Sequence, residues 1–552
     1  MNDKFRCSRK ITHGALTLLT LGIAQGAFAA AIDLPDSDYR LRIDTTVRYN
    51  LGMRMQGQDS HILNSPSYTE SDGKFGKGDV VTDRLDLLSE IDFSYLNQWG
   101  ARLSASGWYD QAYQNTDVKS NVAGYATSYN NNSYSSEVKR YVRGPSGEIL
   151  DAFVWKNFNI GATPVNVKIG RHTNYWGEGL LFGAHAISYS QAPTDGVKAS
   201  TSPGIETKEV FLPLGQISAK AQVTDNLSVA GQYFYEWEPT RIPFGGTYFG
   251  AADPLFEGPD RLPVAPNGAT FQRQDSKFGR EGQNWGVMSK LNVEAIESTF
   301  GVYYRQFDDY QPWFSPEVKA ALGEYRVIYP RGVKLAGLSF SRVFDTVSVG
   351  SDLSYRHNGA LNATGISTVD DEGPRGNTIH FVANAVYGVP RNFISENGTL
   401  IGEFAYSHLD SVTEHPELFK GVGTAQCVNG RTPTIAGSGN ESDGCSTKNY
   451  YAVAVNYTPQ YLNVFPSWDM DVPITANYGI HGNAATAGGG NQGALAWSVG
   501  THWTYAQLYE FTLRYAATAA QSKDLSNDTV AGNGNVGGTD RGWLDFTFKT
   551  SF

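Results

Sequence analysis

Apolar and polar side chains alternate with a period of two through most of this 552-residue chain, and this alternation limits its fold more than any other feature. In the first such run one face carries Leu41, Ile43, Val47, Tyr49, Leu51 and Met53. Successive side chains of a β-strand point to opposite faces, so each run predicts a strand with one apolar face. The runs recur without helical blocks that could cover that face. We therefore predict an all-β fold, a transmembrane antiparallel β-barrel with lipid outside and water inside.

The connections between the runs alternate in length. Short turns such as 97–100 and 224–226 separate long polar loops, which we place at about 54–82, 112–147, 238–284, 409–448 and 517–541. Outer-membrane barrels have this asymmetry, with short periplasmic turns and longer external loops. We count about 18 strands, and 16 is the alternative because two of the runs are weak. An even number places both termini in the periplasm.

The first 29 residues have the composition of a secretory signal peptide. Four basic residues precede a short apolar run at 15–24, and small residues allow cleavage between 29 and 31. The run is too short to cross a bilayer as a helix, although an anchored N-terminal helix is the alternative. We therefore expect residues 30–552 to form a single barrel domain in the outer membrane of a Gram-negative bacterium.

The last predicted strand ends in an aromatic residue. Phe546, Phe548 and Phe552 share its apolar face. An amphipathic final strand with a terminal aromatic residue resembles the signal that the barrel-assembly machinery reads in outer-membrane proteins. We therefore expect these three residues to direct assembly. The expected partners of the barrel are that machinery, membrane lipid and lipopolysaccharide.

Two cysteines remain after the signal peptide, and both lie in one stretch rich in Gly, Ser and Asn. This arrangement predicts a local disulfide between Cys427 and Cys445, formed in an oxidising compartment. Closing a loop of that size is worth on the order of 3 kcal/mol in the chain-entropy model. A metal pair is the alternative, but no His lies between the two residues, and we expect no metal.

One segment, 170–215, breaks the alternation. It is long and apolar for a solvated loop, and long loops in compact folds are usually functional. We expect it to fold into the lumen and narrow the pore, with an outer lid or two further strands as alternatives. Trp176 and residues 180–182 would then lie against the wall, while charged side chains reach the water path. The candidate constriction residues are Arg171, Trp176, Glu178, Asp195, Glu206 and Lys208.

The same segment carries a resemblance to a known family. The stretches GRHTNYWGEGLLFG, QAPTDG and TKEVFLPLGQISAKAQVTDNLSVAGQY, and a later one, KLAGLSFSRVFDTVSVGSDLSYRHN, resemble the proteobacterial family called domain of unknown function 1302. The resemblance covers most of the chain after the signal peptide. It implies an outer-membrane barrel that is often encoded beside a periplasmic carrier protein and sometimes an inner-membrane efflux-type pump. It therefore implies traffic of lipids or other apolar compounds.

Charge and motifs exclude several function classes. The formal net charge of −11 gives no basic surface for nucleic acid. The glycine-rich stretch 488–493 lies between strands with no helix to follow, so it lacks the geometry of a nucleotide site. H-E-x-x-H and G-x-S-x-G motifs do not occur. We therefore expect no catalytic residues and no cofactor.

Lumen-facing positions carry both signs of charge, among them Arg48, Lys290, Glu90, Asp352 and Glu403. This mixture predicts a mixed-charge channel, because strongly selective pores have rings of one sign. We therefore predict an outer-membrane channel for a small molecule. More specifically, we expect the cargo to be apolar or lipid-like and to be exchanged with a periplasmic partner. A structural or adhesive barrel that acts through its long external loops is the alternative.

Overall fold

Eighteen antiparallel strands, here labelled β1 to β18, form one closed barrel in the computed structural model, which describes residues 30–33 and 38–552. The expected signal peptide, 1–29, lies outside the described residues. The strands are Tyr39–Arg54 (β1), Val80–Tyr95 (β2), Trp99–Asp110 (β3), Ser146–Ile160 (β4), Thr163–His172 (β5), Leu214–Gln222 (β6), Leu227–Phe234 (β7), Trp285–Val293 (β8), Ser298–Phe307 (β9), Val333–Phe344 (β10), Val347–Ala360 (β11), Arg375–Val389 (β12), Asn397–Glu414 (β13), Asn449–Phe465 (β14), Trp468–Asp471 with Ile474–His481 (β15), Leu495–Tyr505 (β16), Tyr509–Ala519 (β17) and Trp543–Ser551 (β18).

Each strand pairs with its neighbours in the chain, and β1 pairs with β18 to close the barrel. The predicted count of 18 strands is therefore confirmed. The two runs that looked weak in sequence are β4 and β5, which pair continuously from Ala152 opposite Arg171 to Ile160 opposite Thr163. At the seam, the Phe552 N–H donates to the Thr45 carbonyl at 2.9 Å, and the Thr45 N–H donates to the Phe552 carbonyl at 2.7 Å.

Short turns and long loops lie at opposite ends of the barrel. The tight turns after β2 and β16 each place two residues at positive φ, Leu96 with Asn97 and Ala506 with Gln507, as two-residue hairpins prefer. The connections at the other end are 55–79, 111–145, 173–213, 235–284, 308–332, 361–374, 415–448, 482–494 and 520–542. The predicted asymmetry between the two ends is thus present.

The two faces of the wall differ as the alternation predicts. The outer face exposes large apolar side chains, among them Leu51, Leu87, Val287, Val302 and Leu513. The inner face buries polar and charged side chains, among them Arg48, Asp86, Glu90, Asp352 and Arg356. The helices of the described residues are all too short and too polar to cross a bilayer.

The long loops pack on one another at their end of the barrel. Loops 55–79, 111–145 and 235–284 share a buried aromatic cluster with Trp543 of β18. Loop 415–448 holds the predicted disulfide: Cys427 and Cys445 are bonded, fully buried, and their Cα atoms lie 5.6 Å apart. These loops therefore form an ordered cap, which we call the external cap.

The seam predicts a requirement for Phe552. Deleting this residue removes both backbone hydrogen bonds with Thr45 and the aromatic end of β18, so we expect the barrel to close poorly. The deletion variant should be depleted from the outer-membrane fraction and lack the heat-dependent shift in electrophoretic mobility of a folded barrel. The matched control, Phe552→Tyr, keeps the backbone and the ring and should assemble normally. Normal assembly of the deletion variant would contradict this role.

Candidate functional site: a segment folded into the lumen

Residues 173–213, here called the lumen segment, leave β5 and enter the interior of the barrel. Their side chains contact lumen-facing groups on several sides of the wall: Glu178 pairs with Lys290 of β8 at 2.8 Å, and Glu209 pairs with Arg48 of β1 at 2.9 Å. Lys198 pairs with Glu148 of β4. The segment therefore crosses the lumen, as expected, and is neither an outer lid nor a pair of added strands.

Two carboxylates of the wall hold the first part of this segment by its backbone. Asp352 of β11 accepts hydrogen bonds from the N–H groups of Glu178 at 2.8 Å, Gly179 at 3.2 Å and Ile187 at 3.1 Å. Glu403 of β13 accepts from the three consecutive N–H groups of residues 180–182, at 2.6, 2.9 and 2.5 Å. Asp352 and Glu403, here called the carboxylate clamp, are buried. Six backbone donors are thus satisfied by two side chains.

Two arginines of the wall hold the carbonyl groups of the same stretch. Arg305 of β9 donates to the carbonyls of Ile187 at 2.9 Å, Tyr189 at 2.6 Å and Ser190 at 2.5 Å. Arg356 of β11 donates to the carbonyl of residue 184 at 2.6 Å, and its guanidinium lies 3.9 Å from the centre of the Tyr189 ring. Buried backbone groups need such partners, because the segment is not part of a sheet here. The wall therefore fixes the path of the chain through the lumen.

The second part of the segment forms two short helices, Gly196–Thr201 and Thr207–Val210. Asp195 caps the first, its carboxylate accepting from the Lys198 N–H at 2.8 Å, and it also pairs with Arg241 at 2.7 Å. Ser202, after this helix, donates to Asp86 of β2 at 2.6 Å. These contacts attach the second part to the side of the barrel formed by β1 to β4.

The six candidate constriction residues do not form one ring. Arg171 lies at the end of β5 and pairs with Glu236 and with Glu238, the latter at 3.1 Å, beyond the end of β7. Glu206 and Lys208 pair with each other at 2.9 Å and remain partly exposed. Glu178 is partly exposed beside Lys290, as given above. Three of the predicted charged residues, 178, 206 and 208, therefore reach the open lumen while paired.

The exposure of Trp176, Asp195 and Leu180 agrees only in part with the expectation. Trp176 is 5% exposed and packs on Tyr303 and Leu335 of the wall, as expected. Asp195 is 0% exposed, so its carboxylate does not reach a water path. Leu180 is 49% exposed, so it faces open space and does not lie against the wall. The reason is that the carboxylate clamp orients the backbone of residues 178–182, and the side chains follow that geometry.

A buried pair of histidines was not predicted as part of the site. His185 of the lumen segment and His380 of β12 approach to 2.9 Å between their Nδ1 atoms. His185 Nε2 donates to the Gly489 carbonyl at 2.7 Å, and His380 Nε2 lies 2.8 Å from the Thr378 hydroxyl. Because a carbonyl only accepts, His185 carries its proton on Nε2, and His380 donates to His185 Nδ1. The pair thus joins the segment to the wall in its neutral form.

The lumen segment leaves its largest open space beside one part of the wall, and a smaller cavity of about 300 Å³ lies beside Glu178, Leu180 and Ser348. Two adjoining cavities of about 460 and 410 Å³ lie between the segment and the wall formed by β14 to β17. They share lining residues, which are Leu181, Asn477, Ala496, Thr518 and Asn535. We call this space the side passage.

The external cap contains a pair of buried acids. The Asp253 carboxylate accepts from the Glu70 N–H at 2.7 Å and from the Ser71 N–H at 2.9 Å. Glu70 accepts from the Ser128 N–H at 2.6 Å through Oε1, whereas its Oε2 has no hydrogen-bond partner among the described residues. Burial raises the pKa of Asp253 to about 6, and burial together with the neighbouring Asp253 raises the pKa of Glu70 well above its ordinary value.

The chain was compared with known families, curated proteins and solved structures. The family described as "Protein of unknown function (DUF1302)" matches residues 11–552. No curated protein matches. Among solved structures, the outer membrane protein OpdK from Pseudomonas aeruginosa is similar at 11% identity and a TM-score of 0.39, over 93% of this chain and 98% of that one. OccAB1 of Acinetobacter baumannii is similar at 11% identity and a TM-score of 0.42, over 95% of this chain and 98% of that one. The outer membrane channel DcaP of Acinetobacter baumannii is similar at 10% identity and a TM-score of 0.36, over 95% of this chain and 100% of that one.

The carboxylate clamp predicts that Glu403→Ala loosens residues 180–182. Three N–H groups lose a charged acceptor, and hydrogen bonds to charged groups contribute about 1.5–3 kcal/mol each, so their hydrogen exchange should accelerate at least about tenfold. The control is Asp92→Asn, which removes a lumen-facing carboxylate of β2 that pairs with Arg102 at 3.4 Å. Hydrogen-exchange mass spectrometry checks the difference. Unchanged exchange of residues 180–182 in the Glu403 variant would show that the clamp does not hold them.

The acid pair predicts a cap that loosens as pH rises. Both groups have folded-state pKa values above the ordinary value of about 4, so their stabilising contribution is complete below that pH. It is lost as pH increases through about 6. Exchange of the amides of residues 70–71 and 128, corrected for its intrinsic pH dependence, should therefore speed up between pH 5 and 7.

Glu70→Gln removes one acid of the pair, so it should slow this exchange at pH 7 and weaken its dependence on pH. Glu417→Gln changes an exposed acid in another external loop and is the control. Equal protection of the wild-type cap at pH 5 and pH 7 would contradict the assignment.

Proposed function

The chain belongs to the family of proteins of unknown function DUF1302, and from its barrel and its lumen segment we propose that it is a channel through which a small molecule crosses the outer membrane of a Gram-negative bacterium. The observation that carries this proposal is the side passage, which stays open beside a segment that crosses and narrows the lumen. A barrel of this size without such a segment encloses a wide aqueous hole.

The exterior supports a place in a membrane. Large apolar side chains are exposed around the wall, for example Leu87, Val302 and Leu513, each above 45%. In water this surface would be unfavourable, whereas in a bilayer it lies against acyl chains. The closed sheet also leaves no unpaired edge, which the hydrocarbon region requires.

The clamped segment supports a role as a constriction. It enters from the end that carries the long loops and is fixed at both halves by buried wall charges. We propose that Trp176 anchors it, that Glu178, Glu206 and Lys208 contribute charge to the lumen outside the side passage, and that Arg171 and Asp195 hold its ends in place. Exchange of cargo with a periplasmic carrier protein stays a prediction.

Removing the segment tests the channel. Replacing residues 176–210 with a short Gly/Ser bridge opens the lumen, and the clamp residues become hydrated, so the barrel should fold and its single-channel conductance in planar bilayers should rise several-fold. The control is the double variant Cys427→Ser and Cys445→Ser, which alters an external loop and should conduct like the parent.

Two results would overturn the proposal. A folded deletion variant that conducts like the parent would show that the segment is no constriction. Electrical silence of both proteins would favour a structural or adhesive barrel.

A further inference from the structure

We propose that the molecule that uses the side passage is uncharged, with one apolar face and hydroxyl or carbonyl groups on the opposite face. This inference rests on the proposed function, because it concerns the cargo of that channel. It follows from which side chains border the passage and from where the charges of the lumen lie.

The wall side of the passage consists of small, neutral side chains in two rows. Strand register places each row across β14, β15, β16 and β17, with side chains directly opposite one another. The first row is Ala454, Asn477, Ala496 and Thr518, and the second is Asn456, Thr475, Ser498 and Ala516. All eight line the larger cavity. This wall therefore offers amide and hydroxyl groups between methyl groups, and no charge.

The opposite side of the passage is apolar. Leu181 and Phe182 of the lumen segment border it, and Phe249 of loop 235–284 borders it nearer the external cap. Phe182 belongs to a buried cluster with Tyr450 and Ala452 of β14, so its ring has a fixed position. An apolar face beside a row of hydrogen-bonding groups suits a ligand that is apolar on one face and polar on the other.

One charged side chain lines the passage among the described residues. Arg541 is 6% exposed and donates to the carbonyls of Tyr248 at 3.1 Å and Gly250 at 2.8 Å. Its Nε lies 3.6 Å from the carboxylate of Asp72, which Arg54 shares at 2.7 Å, and the Nε and Nη2 atoms of Arg541 are buried. His185 also lines the passage, and it is neutral because burial, together with the nearby Arg356, lowers its pKa to about 4.

Three further lumen charges are bound by the segment. Asp352 and Glu403 bind its backbone N–H groups, and Arg48 pairs with Glu209, so all three are buried. Glu403 lies directly opposite Ala454 of the first row, and its carboxylate oxygens accept from the N–H groups of residues 180–182. On the β17 side, the pair Arg514 with Asp545, at 2.9 Å, begins one step further along the wall. A charged solute in the passage would lose hydration without gaining a partner, which is unfavourable.

A matched pair of solutes tests the proposal. Phenyl β-D-glucoside has an uncharged sugar and an apolar ring, and phenyl β-D-glucuronide has the same skeleton with one carboxylate. Entry into liposomes that contain the full-length protein is measured for both, against protein-free liposomes. We expect the glucoside to enter at least about tenfold faster than the glucuronide, because a carboxylate loses hydration without a compensating partner.

Two variants test whether the solute uses the side passage. Ala496→Asp adds a carboxylate at an exposed position shared by both cavities, and it should lower glucoside entry several-fold and make the ion current cation-selective. Ser348→Asp adds the same charge at an exposed lumen position on β11, away from the passage, and should leave glucoside entry unchanged. Folding of both variants is checked by their heat-dependent mobility shift.

The outcomes separate the two proposals. Equal entry of both solutes, with normal potassium chloride conductance, overturns the neutral cargo and leaves the channel intact. Equal loss of glucoside entry in the two Asp variants overturns the side passage as its route. Absence of both solute entry and ion current in the parent and in the 176–210 deletion overturns the proposed function, and the cargo inference with it.

Discussion

A chain that crosses the interior of a barrel must find hydrogen-bond partners for its backbone, and the rest of this structure depends on how that requirement is met. The lumen segment is not part of a sheet over residues 178–190, and each unsatisfied buried backbone group would cost about 1–3 kcal/mol. Asp352 and Glu403 supply acceptors, and Arg305 and Arg356 supply donors. The wall charges are therefore structural partners that fix one path of the lumen segment. The side passage is part of the lumen that this path leaves unfilled.

Because the lumen segment binds many of the wall charges, the number of charged residues on the lumen face does not describe what a solute meets. Counted along the strands, acidic and basic residues predict a mixed-charge channel, but a residue such as Glu403, 3% exposed and bonded to three backbone N–H groups, is not in contact with a passing solute. The side chains that a solute meets are those of β14 to β17, where Ala496 and Asn477 are exposed and neutral. The direct contacts of a solute are thus set by the side chains that line the side passage, and one of these, Arg541, is charged among the described residues.

Much of the fold could be predicted because a strand has a strict period. Alternation identifies the outer position of Leu51 and the inner position of Arg48 without further information, and the barrel of 18 strands follows from repeating it. The inward path of the lumen segment was also predictable, from its length and its apolar content. The roles of Asp195 and Leu180 were not, since an irregular segment has no period that assigns its faces. The burial of Asp195 depends on Arg241, and the exposure of Leu180 depends on the carboxylate clamp, and these partners are distant in sequence.

Loop 235–284 links the lumen segment to the external cap. The backbone of residues 240–241 runs beside that of 194–196: the Arg241 N–H donates to the Thr194 carbonyl at 2.8 Å, and the Arg241 carbonyl accepts from Gly196 at 2.8 Å. The same loop places Phe249 on the side passage and Asp253 in the acid pair of the cap. One border of the passage therefore depends on a loop whose buried carboxylate responds to pH, whereas the opposite border consists of strands paired along their length. Phe249 is therefore the contact through which this loop of the cap meets the passage, whereas the neutral rows of the wall are held by strand pairing.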